Sequence, residues 1–396
     1  MIRPTVARVD LAAIEDNLRA IAAFLASRPS PGAPGSSLPA PRIIAVVKAN
    51  AYGHGAAEVG LALERAGAAM LACADIEEGI VLRRAGARLP ILVFGALGIS
   101  DLDGVFEFDL TPTISTPSAA HALTAAARRH RRQLHCHLKI DTGMNRLGFR
   151  HDNIGRTLPE FAGNADLAID AVYTHFATAE DPEHPAFALQ RERFEQVLAQ
   201  LPVLGITPRC RHAANSAAIL RDERVWYDFV RPGLLLYGIV PPPLASTLPL
   251  RPALSLHTRI VHVKGIRPGE GTGYGLRHVV PEPRTIAVVP AGYADGLDRR
   301  LAGNSFMLVR GQRVPIVGSV CMDLTTIDVT GMEVSTGDEV VIVGQQGDAE
   351  LGMREIAAAI GTIPYELLCR VGARIERNFG AQSRTTDYAP RTTDET

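Results

Sequence analysis

Apolar residues recur at positions 11, 14, 18, 21 and 25 of DLAAIEDNLRAIAAFLA, residues 10–26. Spacings of three and four put them on one face, which predicts an amphipathic helix with Asp10 placed to cap its first turn. From residue 43 the pattern changes to short β-rich runs: IIAVVKA (43–49), MLACA (70–74), ILVFG (91–95), LTPTIS (110–115), LHCHLKID (134–141), LAIDAVYTHF (167–176), PRCRHAA (208–214) and FVRPGLLL (229–236). Helical stretches at 56–66, 77–85, 118–132 and 186–201 separate several of them. Eight strand candidates alternating with helices over about 230 residues match a (β/α)8 barrel, with a doubly wound open sheet as the competing arrangement.

The segment 241–252, PPPLASTLPLRP, breaks this pattern as a linker would. Beyond it, runs such as LSLHTRIVHVK, TIAVVPAGY, RVPIVGSV and DEVVIVG lie between Gly, Pro and Asp turns. They predict a mostly β second domain interrupted by one helix at 351–360. The expected division is a barrel over 1–240, its first residues available to the second domain, a β-domain over 241–380 and a polar tail over 381–396. A further segment, 29–41, holds five prolines, two glycines and three serines and reads as a solvent loop without catalytic content.

Composition narrows the function. Of 396 residues 46% are hydrophobic, enough for a sizeable core, while 41 Lys plus Arg against 42 Asp plus Glu leave a formal charge of -1. A broad electrostatic grip on nucleic acid or an anionic membrane is not expected. The five cysteines, Cys73, Cys136, Cys210, Cys321 and Cys369, are widely spaced with no CxxC pair. With no secretory pattern at the N-terminus, they suit a reduced cytoplasm better than disulfides or a zinc site, and no metal is expected.

In a barrel, reactive groups gather at the C-terminal ends of the strands. Lys48 ends the first apolar run, where a partly desolvated amine is suited to forming a Schiff base. Taken alone, it reads more readily as a solvated strand-end lysine. Lys139, Asp141 and Arg146 cluster after the fifth run, as an anion anchor or as a salt-bridged loop. His175 ends the sixth. After the seventh, Asn215 or Ser216 can cap a helix. The Ser216 hydroxyl with the N–H groups of Gly233 and Leu234 would make a phosphate cradle of the kind barrels build from their last two loops. A phosphate site with a strand-end lysine points to pyridoxal 5′-phosphate.

Six segments, AVVKANAYGHG (45–55), KIDTGMNRLG (139–148), HAANS (212–216), VRPGLLLYG (230–238), AGYADG (291–296) and GSVCMDL (318–324), closely resemble the motifs of bacterial alanine racemases, in family order. The resemblance runs from about residue 3 to 376 and includes both expected domains. It implies a pyridoxal phosphate-dependent isomerase that interconverts L- and D-alanine by a two-base mechanism and supplies D-alanine for peptidoglycan. It also implies a cytoplasmic homodimer in which each β-domain completes the partner's active site.

Residue by residue, Lys48 matches the lysine that holds the cofactor and serves as one base, and Tyr274, in GTGYG, the second base. Tyr52, Ser216, Gly233, Leu234 and, in GTIPYE, Tyr365 match the phosphate-binding set. Arg231 matches the arginine facing the pyridine nitrogen; with His175 it is expected to supply the positive charge that favours a tyrosinate at Tyr274. Arg146 is assigned to the substrate carboxylate, Met322 and Tyr293 to the part of the substrate pocket given by the other subunit, and Lys139 is a candidate for carbamylation.

Two departures stand out: the Pro-rich 29–41 segment and LeuArgHisVal after Tyr274. The alternative function is a broad-specificity or serine racemase on the same scaffold. A cofactor carrier would lack the second domain, and a decarboxylase of similar build would carry a glycine-rich phosphate loop and a catalytic cysteine.

Overall fold

The computed structural model describes residues 3–28, 40–97 and 101–380. It forms two compact units, one running from Ala13 to Arg251 and the other joining the residues up to Ala12 with those from Pro252 onward. Most of the Pro-rich segment and the whole polar tail lie outside the described residues.

The first unit is a closed parallel barrel. Its strands, in chain order, are Arg42–Val46, Met70–Cys73, Ile91–Val93, Thr111–Ile114, Leu134–Asp141, Leu167–Tyr173, Cys210–Asn215 and Phe229–Arg231. Each pairs with the next, and the ring closes where Phe229 and Val230 register with Arg42 and Ile43. The closed ring excludes the open doubly wound sheet. Every short apolar run marks a strand because parallel strands sheathed by helices are buried on both faces; Ile43, Ile44, Ala45, Val46 and Val47 are all buried.

Helices Ala56–Arg65, Ile76–Arg84, Pro117–His130 and Ala186–Gln200 form where the 3.6-residue pattern predicts them. The helix Leu11–Ala26 buries Ala13, Ile14, Leu18, Ile21 and Leu25, with Asn17 among them. Asn17 donates to the carbonyls of Leu236 and Arg251 at 3.0 and 2.8 Å and accepts from the Arg251 N–H at 2.8 Å. A buried amide with all these bonds made ties residues around 251 to the barrel.

Two details depart from the pattern. The last barrel strand is only Phe229–Arg231, and the apolar LeuLeuLeuTyr after it is a 3-10 turn, Leu234–Tyr237. The first strand stops at Val46, short of Lys48.

The second unit is a mostly antiparallel sheet built from His262–Ile266, Arg284–Val289, Thr325–Asp328, Gln312–Val317, Phe306–Val309, Glu339–Gln346 and Leu254–Arg259. Val6–Val9 extends it, antiparallel to Leu254–Arg259 and parallel to Glu376–Phe379. The expected helix at 351–360 is Met353–Ala359, and a second, Pro364–Cys369, follows it. Pro364 in its first turn is the sequence signal for that second helix, since proline there forfeits no intrahelical bond.

Candidate active site

Lys48 sits where the first strand gives way to a left-handed turn. Ala49, Asn50, Ala51 and Tyr52 have φ of 52°, 53°, 54° and 52°. Left-handed backbone costs roughly 1–2 kcal/mol per non-glycine residue, so four in a row persist only where the surroundings impose them. Here the Ala51 N–H bonds the Val47 carbonyl at 2.8 Å, the Gly53 N–H bonds Ala49 at 2.9 Å, and Asn50 Oδ1 accepts the Ala56 N–H at 2.8 Å.

The turn carries Tyr52 to the end of the barrel's last strand, where its ring packs, tilted by 39°, with its centre 5.0 Å from that of Tyr237. The Tyr237 hydroxyl donates to the Val46 carbonyl at 2.9 Å, which fastens the two loops together. A Cβ placed on Gly233 would fall 2.5 Å from the Tyr52 hydroxyl, so only glycine leaves that oxygen its place.

Asn215 caps the helix Ser216–Arg221 by accepting the Ala218 N–H at 2.9 Å. That leaves the Ser216 hydroxyl uncommitted to capping, and it accepts the Gly233 N–H at 2.8 Å. An oxygen accepting there still has its own hydrogen to donate to an anion. The Ser216 and Tyr52 hydroxyls thus converge beside Gly233, and these two donors fit a phosphate; the Gly233 N–H, expected in the cradle as a donor, is instead spent on Ser216.

A buried polar network lies below. Arg231 donates to His212 Nδ1 at 2.7 Å, to the carbonyls of Thr174 and Ala213 at 2.8 Å each, and to His175 Nδ1 at 3.2 Å. Burial lowers its pKa to about 10, still protonated at neutral pH. Because both histidines accept from a guanidinium, which has no lone pair to offer, their bonded nitrogens are unprotonated. His212 then donates from Nε2 to His137 Nδ1 at 3.0 Å. Burial and the Arg231 charge hold His175 and His212 well below the usual histidine pKa. This corrects the expectation that His175 shares in supplying positive charge: it is a neutral ring, and the charge is carried by Arg231.

Lys139 is buried, its amine 4.6 Å from the Tyr173 ring centre. Burial, with Arg231, Arg146 and Lys48 adding to it, lowers its pKa to about 7. Arg146 is exposed on the following loop. Asp141 is occupied locally, Oδ1 accepting the N–H groups of Gly143 and Asn145 at 2.9 and 3.1 Å.

Sequence reasoning missed His137, His212 and Tyr173. Tyr173 stacks 4.6 Å from His212 and bonds Thr113 at 2.9 Å. The polar alternation His137, Lys139, Asp141 within an otherwise buried strand is the signal for an inward polar face.

The remaining candidates belong to the β-unit. Tyr274 opens a short turn between Gly273 and Gly275, at φ 72° and 76°. Ser319 donates its hydroxyl to the Tyr274 carbonyl at 2.9 Å. Two residues on, the carbonyls of Cys321 and Met322 accept the N–H groups of Tyr293 and Ala294 at 2.9 and 3.1 Å. The loop 318–322 thereby brings Tyr274, Tyr293 and Met322 into one frame.

Asp295 secures the frame from beneath. Fully buried, it takes bonds from Arg3, Arg374 and the Gly292 N–H, which outweigh its desolvation and hold its pKa below the usual range. Tyr274, Tyr293 and Met322 are 77%, 43% and 53% exposed. Tyr365 lies in the helix Pro364–Cys369, half-buried.

Comparison with known proteins matches residues 9–241 to the N-terminal domain model of alanine racemases and residues 253–379 to the C-terminal domain model. The alanine racemase of Symbiobacterium thermophilum is 39% identical over 384 residues, 96% of this chain and 98% of the relative. The crystal structure of alanine racemase from D-cycloserine producing Streptomyces lavendulae superposes with a TM-score of 0.89 at 34% identity, covering 96% of this chain and 98% of that one. The Bartonella henselae alanine racemase, solved with covalently bound pyridoxal phosphate, gives 0.83 at 27%, covering 95% and 99%.

Proposed function

The chain belongs to the alanine racemase family, and from that premise we propose that it interconverts L- and D-alanine with pyridoxal phosphate, Lys48 and Tyr274 being the two proton-transfer groups. The observation that carries this is the left-handed turn: it sets Lys48 at a barrel mouth while delivering Tyr52, four residues on, to the Ser216–Gly233 cradle. One segment thus supplies an amine for an aldehyde and a hydroxyl for a phosphate.

Bound there, pyridoxal phosphate withdraws electrons from the substrate α-carbon and acidifies its C–H bond. Inversion then needs a group to take the proton from one side and a group to give one from the other. Lys48 is assigned the first side, where its amine, when neutral, would take or give the proton. Tyr274 is assigned the second.

Arg231 is held by its bonds to Thr174, Ala213 and His212 and remains protonated. Facing the ring nitrogen, it would leave that nitrogen as an acceptor only and so restrain side reactions. Arg146 is assigned the substrate carboxylate, and its planar fork of donors suits a carboxylate. Tyr365 is assigned to the phosphate-binding set.

The exposure of Tyr274, Tyr293 and Met322, on turns fixed by backbone hydrogen bonds, supports a homodimer in which these side chains complete the partner's site. Large apolar groups held rigidly in solvent are what a second surface covers. D-Alanine for peptidoglycan is the role that follows. No helix among the described residues is long and apolar enough to cross a membrane, and a cytoplasmic enzyme is the reading adopted.

The test is the absorbance spectrum of the purified protein with a chiral assay on L-alanine and L-serine. Cofactor absorbance and a racemic alanine product, with serine far slower, are expected. Lys48→Ala should lose both absorbance and turnover. Tyr274→Phe should keep the absorbance and lose Cα proton exchange from one enantiomer only; equal exchange from both would sink the two-base assignment.

A further inference from the structure

The strained turn after Lys48 needs something to hold it, and one external restraint comes from a residue that neither the motifs nor the proposed site includes. Glu78 lies in the first turn of the helix Ile76–Arg84, its own N–H donating to the N-cap Asp75 at 2.8 Å. Its carboxylate spans two strand ends: Oε1 accepts the Ala49 N–H at 2.6 Å and Oε2 accepts the Ala74 N–H at 2.8 Å. On the other side of Lys48, the Val47 N–H donates to the Ala72 carbonyl at 2.8 Å. The N–H groups of the two residues flanking Lys48 are therefore both fastened to the end of the second strand, that of Val47 by backbone and that of Ala49 by Glu78.

We infer that Glu78 is a positioning residue for Lys48: it pins the first left-handed residue and so fixes the direction in which the lysine leaves the barrel. The inference rests on the reading of Lys48 as the cofactor-holding base. A charged acceptor on a backbone N–H makes a short, strong bond, and a single carboxylate bridging two segments sets their separation as well as their orientation. Gln is nearly the same size but offers one acceptor and one donor, so at least one of the two N–H groups loses its partner. A lysine that must meet a Cα proton within a few tenths of an ångström is sensitive to this, since misplacement by about 1 Å can cost roughly a hundredfold in rate.

The experiment compares wild type, Glu78→Gln and Glu78→Ala by hydrogen exchange and by primary deuterium isotope effects with Cα-deuterated L- and D-alanine. In the pyridoxal phosphate-free protein, exchange in peptides covering 47–53 should quicken about tenfold or more in the variants, with a change at Ala74, the other N–H that Glu78 accepts, and the rest of the barrel unchanged. In the holoenzyme, turnover should fall roughly tenfold or more. The isotope effect should rise only in the direction in which Lys48 takes the proton, identified as the enantiomer that Tyr274→Phe still exchanges with solvent. Enantiomers are equally stable, so the two directions cannot separate in kcat/KM; the isotope effects can.

Equal rises in both directions would reduce Glu78 to general stability, and unchanged exchange with unchanged isotope effects would overturn the inference outright. Should Glu78→Ala fail to fold, the near-isosteric Glu78→Gln decides. If borohydride reduction places no pyridoxyl group on Lys48 of the wild type, the reading of Lys48 fails, while exchange in the cofactor-free protein still decides whether Glu78 holds the turn.

Discussion

Lys139 shows how far a single residue's chemistry depends on its surroundings. Its sequence context suggested an anion anchor, yet burial brings its amine to a pKa of about 7, so that at pH 8 it is mostly neutral and nucleophilic. A neutral amine can take up carbon dioxide, the N–C bond forming as the proton leaves. The product would be an anion flanked by Arg146 and Arg231, both of which act on Lys139 electrostatically. With 13C-bicarbonate at pH 8 the protein is expected to show a carbamate resonance that Lys139→Met lacks; a spectrum without it in the wild type would leave Lys139 a neutral amine and remove the carbamylation assignment. Tyr52 and Ser216 were legible as candidates because their motifs carry them. What no motif shows is that Asn215 is the helix cap, which leaves Ser216 its hydroxyl.

Among elements, the turns of the β-unit carry the sharpest steric demands. A Cβ on Gly292 would lie 2.3 and 2.4 Å from the carbonyl oxygens of Cys321 and Met322. These are backbone atoms in a loop already bonded to Tyr293 and Ala294, so they have little room to give. Gly292→Ala is therefore expected to destabilise the protein by about 3 kcal/mol or more and to displace Tyr293 and Met322 together. Thermal unfolding measures the first effect and the KM for alanine the second; a variant with wild-type melting and KM would show that the frame is softer than its geometry. The strands were read almost entirely from apolar runs. Their ends were not, because the left-handed turn at Ala49 and the 3-10 turn at Leu234 are imposed by contacts from Glu78, Ser216 and Tyr237 that are distant in sequence.

For the whole molecule, the barrel interior sets the response to pH. His137 is lowered to about 4, His175 and His212 well below 6.5, and Lys139 to about 7, each chiefly by burial. All four are cationic acids whose folded pKa lies below the unfolded value. The unfolded chain therefore binds more protons, for the histidines below about pH 6.5 and for Lys139 between about 7 and 10.5, and stability rises with pH across both windows. His137 alone would account for a loss of about 3 kcal/mol by pH 4. Urea unfolding at pH 7 and pH 5 should show the lower stability at pH 5, with a smaller difference in His137→Gln; a flat or opposite trend would contradict the neutral histidine network. The sequence by itself determined the eight strands, the β-rich second part and the residue types offered for chemistry, because apolar periodicity and short motifs are local properties of the chain. Only the tertiary structure decided that the sheet closes, that Val6–Val9 joins the second unit's sheet, that His175 is neutral beside Arg231, and that Glu78 reaches the peptide after Lys48. Those outcomes depend on burial and on hydrogen bonds between residues far apart in sequence, and neither is encoded in any single stretch of it.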